Sequence, residues 1–444
     1  MTNSLMTRDT QEPKSFQAID PENIDPAVKC DELKALNHYA EAQKETWSVA
    51  WAPDCSYFAW SCGNHIVQLL PWDRDNNCIL RGQEDETHTI QQEDDDIFNN
   101  TPLRSHLNCA DSKNKKNNSC QRRRFILNCK DCVWSLAFGT GTSSVDISIR
   151  RFFLFEKDLI LATGLALGQI KLWSAYKGEL LIKLIDHQNV VRDLSFAPNG
   201  SLILVSASND YTIKFWDLNR DGNMFKTLKF TPCSAFVFSC KWSPNSKQIA
   251  AVGGNRSVFI WNAHDLNSPP RKLSGHLHTV YSCNFSPDGA LLATASFDTT
   301  AIIWDPFTGD ALLHLGHMCP PPHLIYAGGE NGHFVRGVTF LTDCLHVATV
   351  CDDGYMRYWN LYDIQNPVMI AAKNNLLCCA SSPNGAVVSV GTREGEVSFY
   401  KVPHEVPTLL HLCRMAIRQN VPSTEVDRLY LPIKIKEYLK YHTI

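Results

Sequence analysis

"LSFAPNGSLILVSASNDYTIKFWD" (Leu194–Asp217) and "CNFSPDGALLATASFDTTAIIWD" (Cys283–Asp305) are two copies of one sequence pattern. Each copy begins with Phe-x-Pro-[Asn/Asp]-Gly, in which the proline, the Asn or Asp and the glycine favour a tight turn. Alternating apolar residues follow and end at Trp-Asp, as in short strands that bury one face. The two stretches predict a repeated unit of short antiparallel strands.

Weaker copies of this unit occupy most of the chain. The aromatic residues that close the seven copies are followed by Asp, Asn, Ser or Lys: Trp72-Asp73, Trp173-Ser174, Trp216-Asp217, Trp261-Asn262, Trp304-Asp305, Trp359-Asn360 and Tyr400-Lys401. From Trp173 to Trp304 the steps are 43, 45 and 43 residues, which match a four-stranded propeller blade of about 40 to 45 residues. One such sheet cannot bury both faces, whereas blades packed radially can. We therefore expect an all-β propeller of seven blades, with six or eight as alternatives.

The repeats resemble the WD-repeat family over roughly residues 45–402. That resemblance implies a buried network in which a loop His, a hairpin Asp and the closing Trp meet. It also implies that these histidines are structural, and that the blades ending at Trp173, Trp261 and Tyr400, which lack one or more members, are softer. The residues that match the network are His187, Asp210 and Trp216 in one blade and His276, Asp298 and Trp304 in another.

After Tyr400 the apolar period changes from that of strands to that of a helix. Leu409, Leu412, Cys413, Ala416 and Ile417 fall at i, i+3, i+4, i+7 and i+8 and form one apolar face. Such a stripe alone more often belongs to a helix that packs on its own domain, here the propeller, than to one that binds a partner.

The same segment resembles an elongin-binding box, in which a small residue and Leu are followed by Cys and then by an aliphatic residue. The resemblance implies that Leu409 anchors in a hydrophobic pocket of the partner and that the small Cys413 allows close approach. The residues that carry the match are Thr408, Leu409, Leu412, Cys413 and Ile417.

A second half follows at the spacing of a SOCS box. We expect Thr424 and Asp427 to cap a short helix, and Leu431, Pro432 and Ile433 resemble a cullin-binding box. The family's second proline is replaced here by Lys434, which bears on the strength of the cullin contact. The resemblance implies cullin-5.

A propeller followed by a SOCS box (residues 403–444) resembles the WD-repeat and SOCS-box-containing proteins, and the Pro320–Pro322 insert resembles the first of their two paralogues. The resemblance implies a substrate-recognition subunit of an elongin B/C–cullin ubiquitin ligase. Elongins C and B, a cullin with its RING protein, and a client protein would be its partners. A WD-repeat scaffold outside any ligase, whose C-terminal helices pack only internally, is the alternative.

The position of a residue within its blade predicts where a client binds. The residue four positions before each strand aromatic begins the innermost strand of a blade, at the mouth of the central channel. Arginines beside aromatic rings suit an acidic or phosphorylated segment; ordinary half-covered strand residues are the alternative. The residues are Trp47, Trp134, Arg192, Phe238, Tyr281, Arg336 and Leu377, with Asn209 and Phe297 on the rim.

Two regions do not follow the repeat. We expect residues 1–43 to be flexible and residues 74–128, an acidic run followed by a basic one, to be a disordered insertion into the propeller of residues 44–402. The basic run, Lys113–Lys116 with Arg122–Arg124, is either a solvated loop or a nuclear-localisation or client-binding signal.

Composition excludes several classes of function. The net charge of −4 gives no global attraction to nucleic acid or membrane, and no stretch is apolar enough to span a bilayer. The 17 scattered cysteines indicate reduced thiols in an intracellular protein, in the cytoplasm or the nucleus. We expect no cofactor and no metal, since Cys129 and Cys132 have only Cys109 and Cys120 as a loose second pair. No hydrolase or metalloprotease motif is present, so we expect a protein without catalytic residues.

Overall fold

A computed structural model describes residues 24–34, 44–63, 65–80, 123–141, 159–218, 222–230, 235–317, 333–402 and 407–441. Their strands form seven mainly antiparallel sheets, and in each complete blade the chain runs from the innermost strand outward. The predicted seven-bladed propeller is confirmed.

The strands are numbered along the chain and grouped by blade. Before the first blade lie β1 (Asp25–Pro26) and β2 (Lys29–Leu33). Blade 1 contains β3 (Val49–Trp51), β4 (Tyr57–Ser61), β5 (Ile66–Asp73), β6 (Cys78–Ile79) and β7 (Phe125–Asn128). Blade 2 contains β8 (Val133–Thr140), β9 (Leu159–Leu165), β10 (Gln169–Ser174) and β11 (Leu180–Ile185). Blade 3 contains β12 (Val191–Phe196), β13 (Ile203–Ser208), β14 (Thr212–Asp217) and β15 (Met224–Lys229).

The remaining blades follow the same plan. Blade 4 contains β16 (Val237–Trp242), β17 (Gln248–Gly253), β18 (Ser257–Asn262) and β19 (Arg271–Ser274). Blade 5 contains β20 (Val280–Phe285), β21 (Leu292–Ser296), β22 (Thr300–Trp304) and β23 (Ala311–Gly316). Blade 6 contains β24 (Val335–Phe340), β25 (His346–Cys351), β26 (Tyr355–Asn360) and β27 (Met369–Ala372). Blade 7 contains β28 (Leu376–Ser381), β29 (Val387–Thr392) and β30 (Val397–Lys401).

The core lies between the blades. One cluster, for example, joins Val205 and Phe215 of blade 3 to Val237 and Trp242 of blade 4. Strands of the middle of each blade are buried on both faces, as in β21, in which every residue is buried. This explains why the apolar runs in the sequence are nearly continuous there.

The N-terminal segment takes part in the propeller, so the expectation of flexibility is wrong for residues 24–34. Strand β2 pairs antiparallel with β30 and supplies the fourth strand of blade 7, and β1 pairs in parallel with β27 of blade 6. Lys373 of blade 6 binds both Glu32 of β2 and Glu396 of blade 7, at 2.9 and 2.5 Å. The edge of β30 would otherwise be an unpaired strand edge.

The ends of the 74–128 insertion are also ordered, contrary to expectation. Both β6 and β7 pair with β5, so they form the outer edge of blade 1. Residues 81–122, which include the acidic run and most of the basic run, lie outside the described residues.

Three short helices follow the propeller: α1 (Leu409–Arg418), α2 (Ser423–Val426) and α3 (Ile433–Leu439). Thr408 is the N-cap of α1, and its side chain accepts a hydrogen bond from the His411 N–H at 3.3 Å. The expected capping by Thr424 is wrong, since α2 begins one residue earlier with Pro422 at its N-cap.

Candidate functional site

The seven residues predicted from register line one cavity of about 440 Å³, which extends along the innermost strands from their starts as far as Pro287 and Pro383 beyond their ends. They come from all seven blades, and their binding of a client stays a prediction. Asn209 and Phe297 lie beside them, in contact with Arg192 and Tyr281 respectively.

A β-bulge explains why these side chains turn toward the cavity. In six blades the ladder between the innermost strand and its neighbour skips one residue, as between Val191 and Asp193. A bulged residue leaves the pairing register and its side chain is re-aimed. The skipped residues are Trp134, Arg192, Phe238, Tyr281, Arg336 and Leu377.

The aromatic members form an arc of ring contacts. The Trp47 and Trp134 rings lie 4.2 Å apart between centroids. On the other side of Arg192, Phe238 stacks on Tyr281 at 5.4 Å, and Tyr281 stacks on Phe297 at 5.3 Å. The arc presents flat apolar surfaces that flank one cation.

Arg192 lies between the two halves of this arc. Its guanidinium carbon is 4.2 Å from the Trp134 ring centroid and 5.4 Å from that of Phe238. Its Nε donates to Asn209 Oδ1 at 3.1 Å. Burial lowers the pKa of Arg192, although a guanidinium remains protonated at any physiological pH.

Arg336 differs from Arg192 because it already has a carboxylate partner. Its Nε and Nη2 donate to the two oxygens of Asp352 at 2.5 and 2.7 Å. Both arginines are partly buried, and the Arg336–Asp352 pair carries no net charge.

The predicted buried networks are present in blades 3 and 5, with one additional member each. His276 Nδ1 lies 2.8 Å from Asp298 Oδ2, while its Nε2 lies 2.7 Å from Thr294 Oγ1. Trp304 Nε1 donates to that same hydroxyl at 2.8 Å. In blade 3, Ser206 has the position of Thr294 and joins His187 to Trp216, at 2.7 and 2.9 Å, and His187 lies 2.6 Å from Asp210.

The acids of these networks are held ionised. Burial alone would raise the pKa of Asp298, but the hydrogen bond and charge of His276, with help from Thr300 and the Leu277 N–H, lower it to about 2. The same opposing effects, with His187 as the partner, lower the pKa of Asp210. Both histidines are therefore fixed within the blades and belong to the scaffold.

Two other blades contain partial networks. In blade 6, Thr349 Oγ1 lies 2.7 Å from His317 Nε2 and accepts from Trp359 Nε1 at 2.9 Å. In blade 2, Trp173 Nε1 donates to Thr163 Oγ1 at 3.2 Å, and the thiol of Cys129 lies 3.8 Å from that hydroxyl, where blades 3, 5 and 6 have a histidine.

Helix α1 has an inverted distribution of polarity. Its buried side chains are His411, Arg414 and Arg418. Its apolar stripe faces solvent, with Leu409 76% and Leu412 46% exposed, and Cys413 is exposed as well. The alternative in which this stripe packs on the propeller is therefore wrong.

The buried face of α1 binds the propeller through polar groups. His411 Nε2 lies 2.6 Å from the Asp343 carbonyl oxygen, so that nitrogen carries the proton and donates. Its Nδ1 then accepts from Arg414 Nη2 at 2.8 Å. Burial lowers the pKa of His411, which favours this neutral form.

Three tyrosines surround the Arg414 guanidinium. Its carbon lies 3.9, 4.3 and 5.5 Å from the ring centroids of Tyr441, Tyr438 and Tyr362. Tyr441 is itself buried among propeller residues and donates to Asp288 Oδ2 at 3.0 Å. We call Arg414 and these tyrosines the arginine cage.

The arginine cage and the aromatic arc lie at opposite ends of the blades. Tyr281, at the start of β20, belongs to the arc, whereas Asp288 follows the end of the same strand. Seven residues of extended chain span about 20 Å.

The predicted cullin-binding residues are accessible. Pro432 and Ile433 are exposed, Ile433 to 78%, and Leu431 is partly exposed. Pro432 is the N-cap of α3 and Ile433 is its first residue, so these residues lie where the turn after α2 meets α3.

In the described part of the chain, all thirteen cysteines are free. His65, Asp131 and Cys132 bring their ligand atoms within 4.8 Å of one another. The two carboxylate oxygens of Asp131 already accept the N–H groups of Cys132 and Leu167, at 2.7 and 2.8 Å. Cys109 and Cys120 lie outside the described residues.

Among the three described helices, none is long and apolar enough to cross a membrane.

Comparison with known proteins agrees with this architecture. The family model "SOCS box" matches residues 405–440, and "WD domain, G-beta repeat" matches residues 178–217, 224–262, 267–305 and 325–360. The human protein named "WD repeat and SOCS box-containing protein 1" is 47% identical over 90% of this chain and 91% of its own length. The proteins of that name from Mus musculus and Danio rerio are each 44% identical, over 89% and 90% of this chain and 91% and 92% of their own lengths. The chain belongs to the family of WD-repeat and SOCS-box-containing proteins.

Proposed function

We propose that this chain is the substrate receptor of an elongin B/C–cullin ubiquitin ligase: the propeller binds a client, and the SOCS box joins the ligase. The observation that carries the proposal is the inverted polarity of α1. A helix that buries two arginines and a histidine and exposes leucines is matched to a partner that covers the leucines.

Elongin C, with elongin B bound to it, is the partner we propose for the exposed stripe. Thr408, Leu409, Leu412, Cys413 and Ile417 form one helical face of the kind that enters a hydrophobic groove. Leu409 is the most exposed of the stripe's apolar residues, so it is the candidate anchor. Cys413 has a small side chain at the next turn, which permits close helix approach.

A cullin with its RING protein would then contact the turn at Leu431, Pro432 and Ile433. The exposure of Ile433 supports this assignment, and so does the match of the SOCS-box family model to residues 405–440, which include the three residues. Cullin-5 is the member we propose.

The client would lie across the cavity at the channel mouth, held by Trp47, Trp134, Arg192, Phe238, Tyr281 and Arg336, with Asn209 and Phe297 on the rim. The receptor then contributes proximity, because a client lysine held near a charged ubiquitin-conjugating enzyme is present at high effective concentration. This role needs no catalytic residue and no cofactor in the chain, and it places the protein inside the cell, in the cytoplasm or the nucleus.

Assembly from purified components tests the proposal. The chain, co-expressed with elongins B and C, should elute as one complex and should then bind cullin-5 with its RING protein. Ile433→Ser should weaken the cullin step and leave the elongin step intact, since Ile433 begins α3 and lies outside the exposed stripe of α1. Co-elution with a different cullin and not with cullin-5 would correct the cullin assignment. Failure to bind elongins would overturn the proposal.

A further inference from the structure

We propose that the cavity at the channel mouth recognises a linear client segment with a single carboxylate side chain, Asp or Glu, flanked by aromatic or other flat apolar side chains. This inference rests on the proposed function, because it names the class of client that the receptor takes.

The charges around the cavity leave one cation without a counter-ion. Lys241 is paired with Asp193 at 2.7 Å, and Arg336 is paired with Asp352. Asp193 is also satisfied by the hydroxyl of Ser239 at 2.6 Å. In the described part of the chain, Arg192 has an amide partner, Asn209, and no carboxylate partner.

The surroundings of Arg192 prepare it for a planar anion. Asn209 fixes the Nε end of the guanidinium, and the rings of Trp134 and Phe238 lie near it. The two terminal nitrogens remain to donate to a ligand in the cavity. A carboxylate accepts two such parallel hydrogen bonds, and the partly buried site excludes much of the competing water.

Charge complementarity selects a carboxylate over a phosphate. One carboxylate balances the single unpaired charge of Arg192. A phosphate carries about two negative charges at neutral pH, and the neighbouring Arg336 is already neutralised by Asp352. The second negative charge of a phosphate would therefore be buried without compensation.

The aromatic arc gives the flanking preference. Trp47 and Trp134 lie on one side of Arg192, and Phe238, Tyr281 and Phe297 lie on the other. Flat side chains before and after the acid can stack on these rings. The cavity volume of about 440 Å³ accommodates a few side chains of an extended segment, as small ligand sites do, and excludes a folded domain.

Selection from a phage-displayed library of random linear peptides tests the inference. The bait is the full chain in complex with elongins B and C, as wild type, as Arg192→Met and as Arg256→Met. The last is a matched control, since Arg256 is exposed on the β17–β18 turn of the same face and does not line the cavity. Wild type and the control should select peptides with one acid between apolar or aromatic residues, and Arg192→Met should lose the acidic preference.

Synthetic peptides then separate the sources of negative charge. For each selected sequence, replacement of the acid by its amide should weaken binding by about tenfold or more, because a charge-assisted hydrogen bond is lost. Replacement by phosphoserine should not improve it.

Three results would overturn the inference: selected peptides without an acid, an unchanged preference in Arg192→Met, or no peptides selected at all. Tighter binding of the phosphopeptide would overturn the choice of a carboxylate. None of these results would affect elongin binding, so failure here is distinguishable from failure of the proposed function.

Discussion

The strands of the propeller and helix α1 bury opposite kinds of side chain. In blade 5, apolar side chains pack between the sheets, and the few buried polar groups, such as His276 and Asp298, satisfy one another. Helix α1 instead turns His411 and Arg414 toward the propeller and Leu409 toward solvent. The difference is that the propeller buries its apolar side chains between its own sheets, whereas α1 leaves its apolar stripe exposed, which is the basis of the proposed elongin contact.

The largest expected loss of stability comes from the propeller side of this comparison. Asp298→Ala removes the acceptor for His276, for the Leu277 N–H and for Thr300. Because these donors stay buried and unpaired, we expect the free energy of unfolding to fall by about 3 kcal/mol. Denaturant titration measures it.

Asp310→Ala is the control for this change, since Asp310 is exposed. Its removal should change the free energy of unfolding by less than about 0.5 kcal/mol. Equal effects of the two substitutions would mean that the buried network contributes nothing specific.

The arginine cage should have the next largest effect. Arg414→Met keeps most of the packing but removes a buried cation from three tyrosine rings, at a cost of about 2 kcal/mol. We expect hydrogen exchange to rise in α1 and to stay unchanged in the propeller strands. The exposed Arg428→Met serves as the control. Unchanged protection of α1 in Arg414→Met would show that the cage does not hold the helix.

Acid should destabilise the propeller through His317. Burial, with the charge of Arg357, lowers the pKa of His317 to about 3, whereas an unfolded histidine titrates near 6.5. The unfolded state therefore binds more protons between these values, and the stability that His317 contributes is present above pH 6.5 and is lost as the pH falls toward 3. The slope from one such group is at most about 1.4 kcal/mol per pH unit.

The melting temperature of His317→Gln should change less with pH than that of wild type between pH 6.5 and 5. The exposed His264→Gln should follow wild type. A His317→Gln profile identical to that of wild type would contradict this assignment.

Lys434→Pro should have the smallest effect, and on cullin binding alone. Lys434 is exposed in the first turn of α3, where a proline limits the conformations of the free turn. Cullin binding should tighten by about 0.4 to 1 kcal/mol in calorimetry if Ile433 tolerates the proline. Weaker binding with an intact α3 would instead indicate that Lys434 contacts the cullin.

Local pattern was enough to predict the blades and the seven residues of the cavity, because each depends on register within one repeat. The His–Asp–Trp networks were expected only from the resemblance to the WD-repeat family. The bridging hydroxyl was missed, although a signal exists: Thr163, Ser206, Thr294 and Thr349 each lie ten residues before the tryptophan they bind.

Features that depend on distant pairing were not predictable in this way. Strand β2 is rich in charged residues, and it becomes a strand because β30 offers an edge. Asp352 neutralises Arg336 only because the turn between β25 and β26 brings it beside the bulge in β24. The inward face of α1 was missed because arginines at helical spacing usually face solvent, and its cage is assembled from Tyr362 and the two C-terminal tyrosines.

The measurement that tests the account most directly is calorimetric binding of the elongin B/C complex to wild type and to Leu409→Ala with Cys413→Phe. Both residues are exposed in the free chain, so the double variant should melt at the wild-type temperature. It should lose elongin binding, because the anchor is removed and a large ring blocks close approach of the helix. Wild-type affinity in the double variant would show that the exposed stripe is not the ligase contact.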